Sequence, residues 1–137
     1  MADNTFFNVE DTIHCYEIKT EYDNFDRLVK QILDYSKVFE YVSVVCTDEK
    51  VLRVKEMVPE YCGIISYKKR KNAAFVEIRK AEKSVSLESQ SILKCFRNKE
   101  LKAFFGKTER QSIIADYGTA CIEDCLKQCL RNRFAVY

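Results

Sequence analysis

The sequence predicts an α/β fold, a mixed β-sheet flanked by helices with a C-terminal helical extension. Three observations predict it. A strand–turn–strand pattern over residues 5–19 is followed by a helical period. A near-continuous apolar run, Tyr41-Val42-Ser43-Val44-Val45-Cys46, then has the form of a strand buried on both faces. From about Leu87 onward the period is helical throughout, broken at Gly106 and Gly118.

The elements follow in order. Thr5 to Val9 reads as a strand, Glu10-Asp11 as a tight turn and Thr12 to Lys19 as the returning strand. A two-residue connection makes this an antiparallel hairpin, with residues near 3–5 opposite residues near 16–18. Asp23 offers an N-cap for a helix running to about Phe39, with Asp26 in its first turn. Its apolar set is Phe25, Leu28, Val29, Ile32, Leu33, Ser36 and Phe39, while Arg27, Gln31 and Tyr35 form a separate polar stripe at four-residue steps. Asp48 is the expected cap of a second helix, which Pro59 stops. Residues 62–67 read as a short strand, Lys68-Lys69-Arg70-Lys71 as a basic turn, and Ala73 to Ile78 as an edge strand. The division is an α/β core over 1–80 and a helical extension over 81–137, packed on the core.

Composition narrows the function classes. The 137 residues are 47% hydrophobic and contain only 3 Gly and 1 Pro, which argues against a disordered chain. No apolar run reaches the roughly 18 residues of a membrane span, and Met-Ala-Asp-Asn-Thr lacks the features of a signal peptide. A cytoplasmic protein without a membrane partner is expected. The 7 scattered cysteines fit free thiols in a reducing compartment. Net charge is +2 but uneven: residues 1–67 hold 7 Lys/Arg against 13 Asp/Glu, and residues 68–110 hold 13 against 5. An acidic half beside a basic half invites a metal-plus-polyanion reading.

Cys15-Tyr16-Glu17-Ile18-Lys19 is the stretch that points to chemistry. Glu17 and Lys19 are two apart in a strand and so share a face. Hairpin pairing brings Asp3 to the same end. Two carboxylates there are hard-oxygen ligands of the kind Mg²⁺ (or Mn²⁺) takes, with the backbone carbonyl of Ile18 between them. A neighbouring lysine orients an attacking water or stabilises an anionic transition state. The chemistry implied is metal-dependent phosphodiester hydrolysis.

These residues carry a resemblance. Asp3 and Glu17-Ile18-Lys19, on a hairpin followed by a helix and a buried strand, resemble the motif of the PD-(D/E)xK nuclease superfamily. Gln31-x-x-x-Tyr35 resembles the QxxxY motif of its RecB-like branch. The stretch from Tyr16 to Leu28, followed by Gln31 and by Asp34 to Phe39, is similar to small bacterial nuclease-like proteins. The resemblance covers about residues 2–67. It implies a restriction-endonuclease-like fold, Asp3, Glu17 and Lys19 as catalytic residues, and Asp3, Glu17 and the Ile18 carbonyl as metal ligands. Gln31, Tyr35 and Arg27 become auxiliary, substrate-binding residues, and nucleic acid, DNA foremost, the partner. It also implies a helix and strand ahead of Asp3, so the N-terminal part of the core is expected to be missing from the sequence: the chain is a fragment, its start is misassigned, or the missing pieces come from elsewhere. The alternative is a catalytically inactive nuclease-like scaffold that binds DNA or a protein partner.

Other features weigh less. His14, the single histidine, alternates onto the face opposite Glu17 and Lys19 and reads as structural, which disfavours a Cys-His or Ser-His hydrolase. Cys121, Cys125 and Cys129 share one helical face. A rigid helix spaces them about 6 Å apart per step, unlike the loop-borne ligands of an iron–sulfur cluster, so buried core thiols are expected. Lys68, Lys69, Arg70 and Lys71 are candidate nucleic-acid contacts, read alongside the metal-site motif.

Overall fold

The computed structural model describes residues 5–9, 11–68 and 74–133. Its centre is a five-stranded mixed sheet of β1 (Thr5–Val9), β2 (Ile13–Ile18), β3 (Tyr41–Thr47), β4 (Gly63–Tyr67) and β5 (Val76–Arg79), in that spatial order. β2, β3 and β4 run parallel, while β1 and β5 pair antiparallel at the two edges. The parallel neighbours are joined through α1 (Leu28–Ser36) and α2 (Val51–Met57), as parallel strands require. α3 (Ser89–Leu93), α4 (Asn98–Phe105), α5 (Arg110–Asp116) and α6 (Thr119–Arg133) follow.

The β3 run behaves as its composition demands: six of its seven residues, Val42 to Thr47, are buried. The first helix is shorter than its apolar pattern suggests. Asp23 caps a turn, its Oδ2 accepting from the Thr20 N–H at 2.6 Å and the Thr20 hydroxyl at 2.9 Å. Asn24 Oδ1 accepts from the Asp26 N–H at 2.7 Å. These local bonds compete with helix formation, so α1 begins only at Leu28. Its buried stripe is Leu28, Ile32 and Ser36, leaving Val29 and Leu33 exposed. Asp48 opens a 3₁₀ turn of three residues that leads into α2.

The core lies on one side of the sheet. Ile13 and Cys15 of β2, Val44 and Cys46 of β3 and Ile64 of β4 join Leu28 and Ile32 of α1, Val54 of α2 and Ile92, Leu101, Ile113, Ile122 and Leu126 of the later helices in one cluster. Each fully buried side chain of this size contributes about 1.5–3 kcal/mol. Residues 80–88 thread back along the sheet and fasten the extension. Glu82 N–H donates to the Tyr61 carbonyl, Ser84 N–H to that of Glu40, and the Ser84 hydroxyl to that of Ser36.

Candidate functional site

Alternation along β2 decides which side chains meet. Ile13, Cys15, Glu17 and, just past the strand, Lys19 are buried, whereas His14, Tyr16 and Ile18 are half-buried on the other face. Glu17 is 0% exposed and Lys19 6%. Lys19 N–H donates to the Val45 carbonyl at 2.7 Å, which extends the β2–β3 ladder and fixes the start of its side chain. Lys19 Nζ lies 3.6 Å from Glu17 Oε1. That is ion-pair range but longer than a hydrogen bond.

The two oxygens of Glu17 differ. Oε2 accepts from the Thr5 hydroxyl at 2.6 Å, and Thr5 Oγ1 is 3.1 Å from the Tyr35 hydroxyl. Oε1 is sealed from solvent without a hydrogen-bond partner among the described residues. Burial pushes the neighbouring Cys15 thiol up, and Glu17 adds to the shift. A buried carboxylate oxygen that accepts no hydrogen bond is costly, and here the Lys19 ammonium at 3.6 Å offsets part of that cost.

The hairpin register explains the Thr5 contact, which the sequence did not reveal. Val9 pairs with Ile13 and Thr5 with Glu17, so three residues separate the turn partners rather than two. A two-residue turn sets Thr5 opposite Tyr16; one further residue moves it onto the Glu17 face. The length of the connection was the signal, and Glu10-Asp11 alone does not fix it.

The remaining candidates divide. Tyr35 reaches the site through Thr5. Gln31, one turn earlier on α1, has its Oε1 sealed from solvent and without a hydrogen-bond partner among the described residues. Arg27 sits at the N-cap position of α1 with its side chain exposed, and no hydrogen bond or ion pair joins it to Glu17 or Lys19 among the described residues. The Ile18 side chain faces away into an apolar groove with Tyr16, Val45, Ile65, Tyr67 and Phe75. Lys68 is exposed. Asp3, Lys69, Arg70 and Lys71 lie outside the described residues.

Glu17 Oε1 is the oxygen of the site that suits a hard cation. Among the described residues no group of three or more His, Cys, Asp or Glu side chains could hold a metal ion, and Asp3 lies outside them. His14 Nε2 lies 2.9 Å from Ser43 Oγ and its ring stacks on Tyr16 at 4.3 Å. Burial lowers its pKa, against a smaller opposing effect of Glu77. In the cysteine stripe only Cys129 is buried; Cys125 is half-buried and Cys121 exposed. The Cys129 thiol donates to Glu100 Oε2 at 3.0 Å, and burial followed by that bond raises its pKa to about 12. No helix among the described residues is long and apolar enough to cross a membrane.

Comparison with known proteins gives a family match. A family model described as Bacteriophage P4 protein cII covers residues 2–136. No curated protein and no solved structure matches the chain. The match links the chain to no nuclease. It spans all but the two terminal residues, and the chain belongs to the bacteriophage P4 protein cII family.

Proposed function

We propose that the protein is a metal-dependent nuclease that hydrolyses phosphodiester bonds of nucleic acid, DNA foremost, in the cytoplasm. One observation carries the reading: a buried Glu17–Lys19 pair at the end of β2, in which Glu17 Oε1 faces Lys19 Nζ at ion-pair range and accepts no hydrogen bond among the described residues. Burying two charges costs several kcal/mol per ion, which packing alone gives no reason to spend. Glu17 and the Ile18 carbonyl are the ligands the described residues offer, with Asp3 as the further carboxylate. Mg²⁺ or Mn²⁺, when bound, supplies positive charge beside the scissile phosphate. Lys19 Nζ orients the attacking water and stabilises the oxyanion as the bond from phosphorus to the leaving oxygen breaks. Thr5 and Tyr35 hold the Glu17 carboxylate in one orientation, and Gln31 contacts substrate phosphate.

The test is a cleavage assay with single- and double-stranded DNA and RNA, with Mg²⁺, with Mn²⁺ and with EDTA. Cleavage that stops with EDTA, and falls at least about 100-fold in Lys19→Met while circular dichroism shows the fold intact, supports the reading. No cleavage on any substrate, or cleavage unchanged in Lys19→Met, overturns it.

The burial itself favours a second reading. With Glu17 at 0% and Lys19 at 6% exposure, the pair presents almost no surface to a phosphate. A nuclease-like scaffold that binds DNA or a protein partner without cutting fits that closure. Tight binding without cleavage in the same assay selects it.

A further inference from the structure

Away from the Glu17–Lys19 site, α6 forms one wall of a cavity of about 220 Å³. Ala120, Glu123, Asp124 and Lys127 line it from one face of the helix, at spacings of three and four residues. Lys83 and Leu87 line it from the segment over 80–88, and Glu40 from the head of β3. Glu123 is 3% exposed, and neither of its oxygens has a hydrogen-bond partner among the described residues.

The two lysines are committed elsewhere. Lys127 Nζ lies 2.8 Å from Glu40 Oε1 and 3.4 Å from Asp124 Oδ1. Lys83 Nζ lies 3.7 Å from Glu40 Oε2. Glu40 Oε1 also accepts from the Ile13 N–H at 3.4 Å. Three carboxylates thus face two ammonium groups in the cavity, one positive charge short, and the shortfall falls on Glu123. A carboxyl buried without a donor loses its hydration and gains nothing in return.

The geometry of the vacancy selects the kind of cation. Glu40 is held by lysines, and among the described residues no three carboxylates converge as metal ligands. Glu123 instead offers both oxygens of one carboxylate, the target that the planar fork of a guanidinium matches with two parallel N–H bonds. A guanidinium is also less strongly hydrated than an ammonium, so it enters a closed site at lower cost. Leu87 and Ala120 give an alkyl chain an apolar wall.

We propose that this cavity binds an alkylguanidinium ion, whose N–H groups donate to Glu123 Oε1 and Oε2 while its alkyl chain lies against Leu87 and Ala120. Both oxygens are sealed from solvent, and Lys83 moves aside to admit the ion: its side chain is 63% exposed and its approach to Glu40 is longer than a hydrogen bond. The charged groups facing Glu123 are Glu40, Asp124, Lys83 and Lys127, and the Cys95 thiol also feels its charge. Burial, then Glu40, raise the Glu123 pKa to about 8, so binding of the cation releases a proton. The site uses none of Thr5, Glu17, Lys19 or Tyr35 and stands whether or not they cut.

The experiment titrates the protein with propylguanidine and with its uncharged isostere propylurea, read from the methyl NMR signals of Leu87 and Ala120. Propylguanidine is expected to shift both methyl signals and to bind about 10- to 100-fold tighter than propylurea. Its affinity is expected to rise about 10- to 100-fold from pH 6 to pH 9, as Glu123 ionises. Glu123→Gln keeps the shape, weakens binding at least 10-fold at pH 9 and abolishes the pH dependence. Lys83→Ala, at an exposed position, removes a competing cation and tightens binding. Agmatine and a blocked arginine peptide separate a free guanidino compound from the side chain of a protein partner, and tighter binding of either supports the site. Unshifted methyl signals, propylurea bound as tightly as propylguanidine, or affinity unchanged between pH 6 and pH 9 overturns the proposal. So does unchanged binding in Glu123→Gln, or, where that variant does not fold, weaker binding in Lys83→Ala.

Discussion

Glu123 on α6 shows what a single buried carboxyl does. It is 3% exposed, and neither oxygen has a hydrogen-bond partner among the described residues. Burial first, and the nearby Glu40 second, raise its pKa from 4.5 to about 8, with Asp124 adding to the rise and Lys127 and Lys83 opposing it. Glu40 has first claim on Lys127, whose Nζ lies 2.8 Å from its Oε1. The folded state therefore holds a proton on Glu123 that the unfolded chain releases between about pH 4.5 and 8, and stability falls as pH rises through that window. Glu123→Gln is expected to remove this slope and to stabilise the protein by about 1–3 kcal/mol near pH 9, read from urea denaturation across pH. Residue identity and alternation were enough to place Glu17 and Lys19 together. Glu123 was hidden, because its helix reads as a mixed polar and apolar face and the partner that perturbs it, Glu40, lies 83 positions away in sequence.

At the scale of elements, α4 and α6 are fastened by one guanidinium. Arg133 in the last turn of α6 donates through Nε to Glu100 Oε2 at 2.8 Å and through a terminal nitrogen to Glu100 Oε1, and also reaches the Cys95 carbonyl at 2.6 Å. Glu100 Oε1 also accepts from the Arg97 N–H at 2.7 Å, which caps the start of α4. The Arg133 bonds first, with the Cys129 and Arg97 bonds adding to them against burial, hold the Glu100 carboxyl down at about 2. Its contribution is present above pH 4.5 and lost as pH falls toward 2. Arg133→Met is expected to cost about 1.5–3 kcal/mol at neutral pH and to raise the pH of acid unfolding, followed by circular dichroism. The helices and strands themselves were legible from period and punctuation, the buried β3 run most clearly. The start of α1 was not, because Asp23 and Asn24 serve equally well as helix caps and as turn formers, and the side-chain bonds that choose between them are local and irregular. Gly63 also escaped the sequence. In β4 it faces Ser43 on β3, and a side chain there would collide with Ser43 Oγ and the Ala81 backbone.

For the whole molecule, the α/β order and the mixed sheet follow from the pattern of strands and helices. The asymmetry between the two sheet faces does not. Period gives a strand two faces but does not say which one the helices cover, and here α1, α2 and the extension share a single core with the Glu17 face. The five strands also leave two edges, and β5 is one of them. Its sequence is short, and its apolar side chains Val76 and Ile78 are half-open to solvent at 52% and 45%. Such an edge is a template on which another chain can extend the sheet. Glu77 sits between those two residues, and Lys80 directly follows the last residue of the strand, Arg79. Stacking β5 against β5 in register would bring carboxylates together at one strand spacing, so the acid guards against fibril-like growth. Glu77→Val removes that guard and leaves Ala73 to Ile78 as six consecutive apolar residues in the sequence. The variant is expected to keep its melting temperature within a few degrees yet to scatter light and bind thioflavin at concentrations where the parent stays clear.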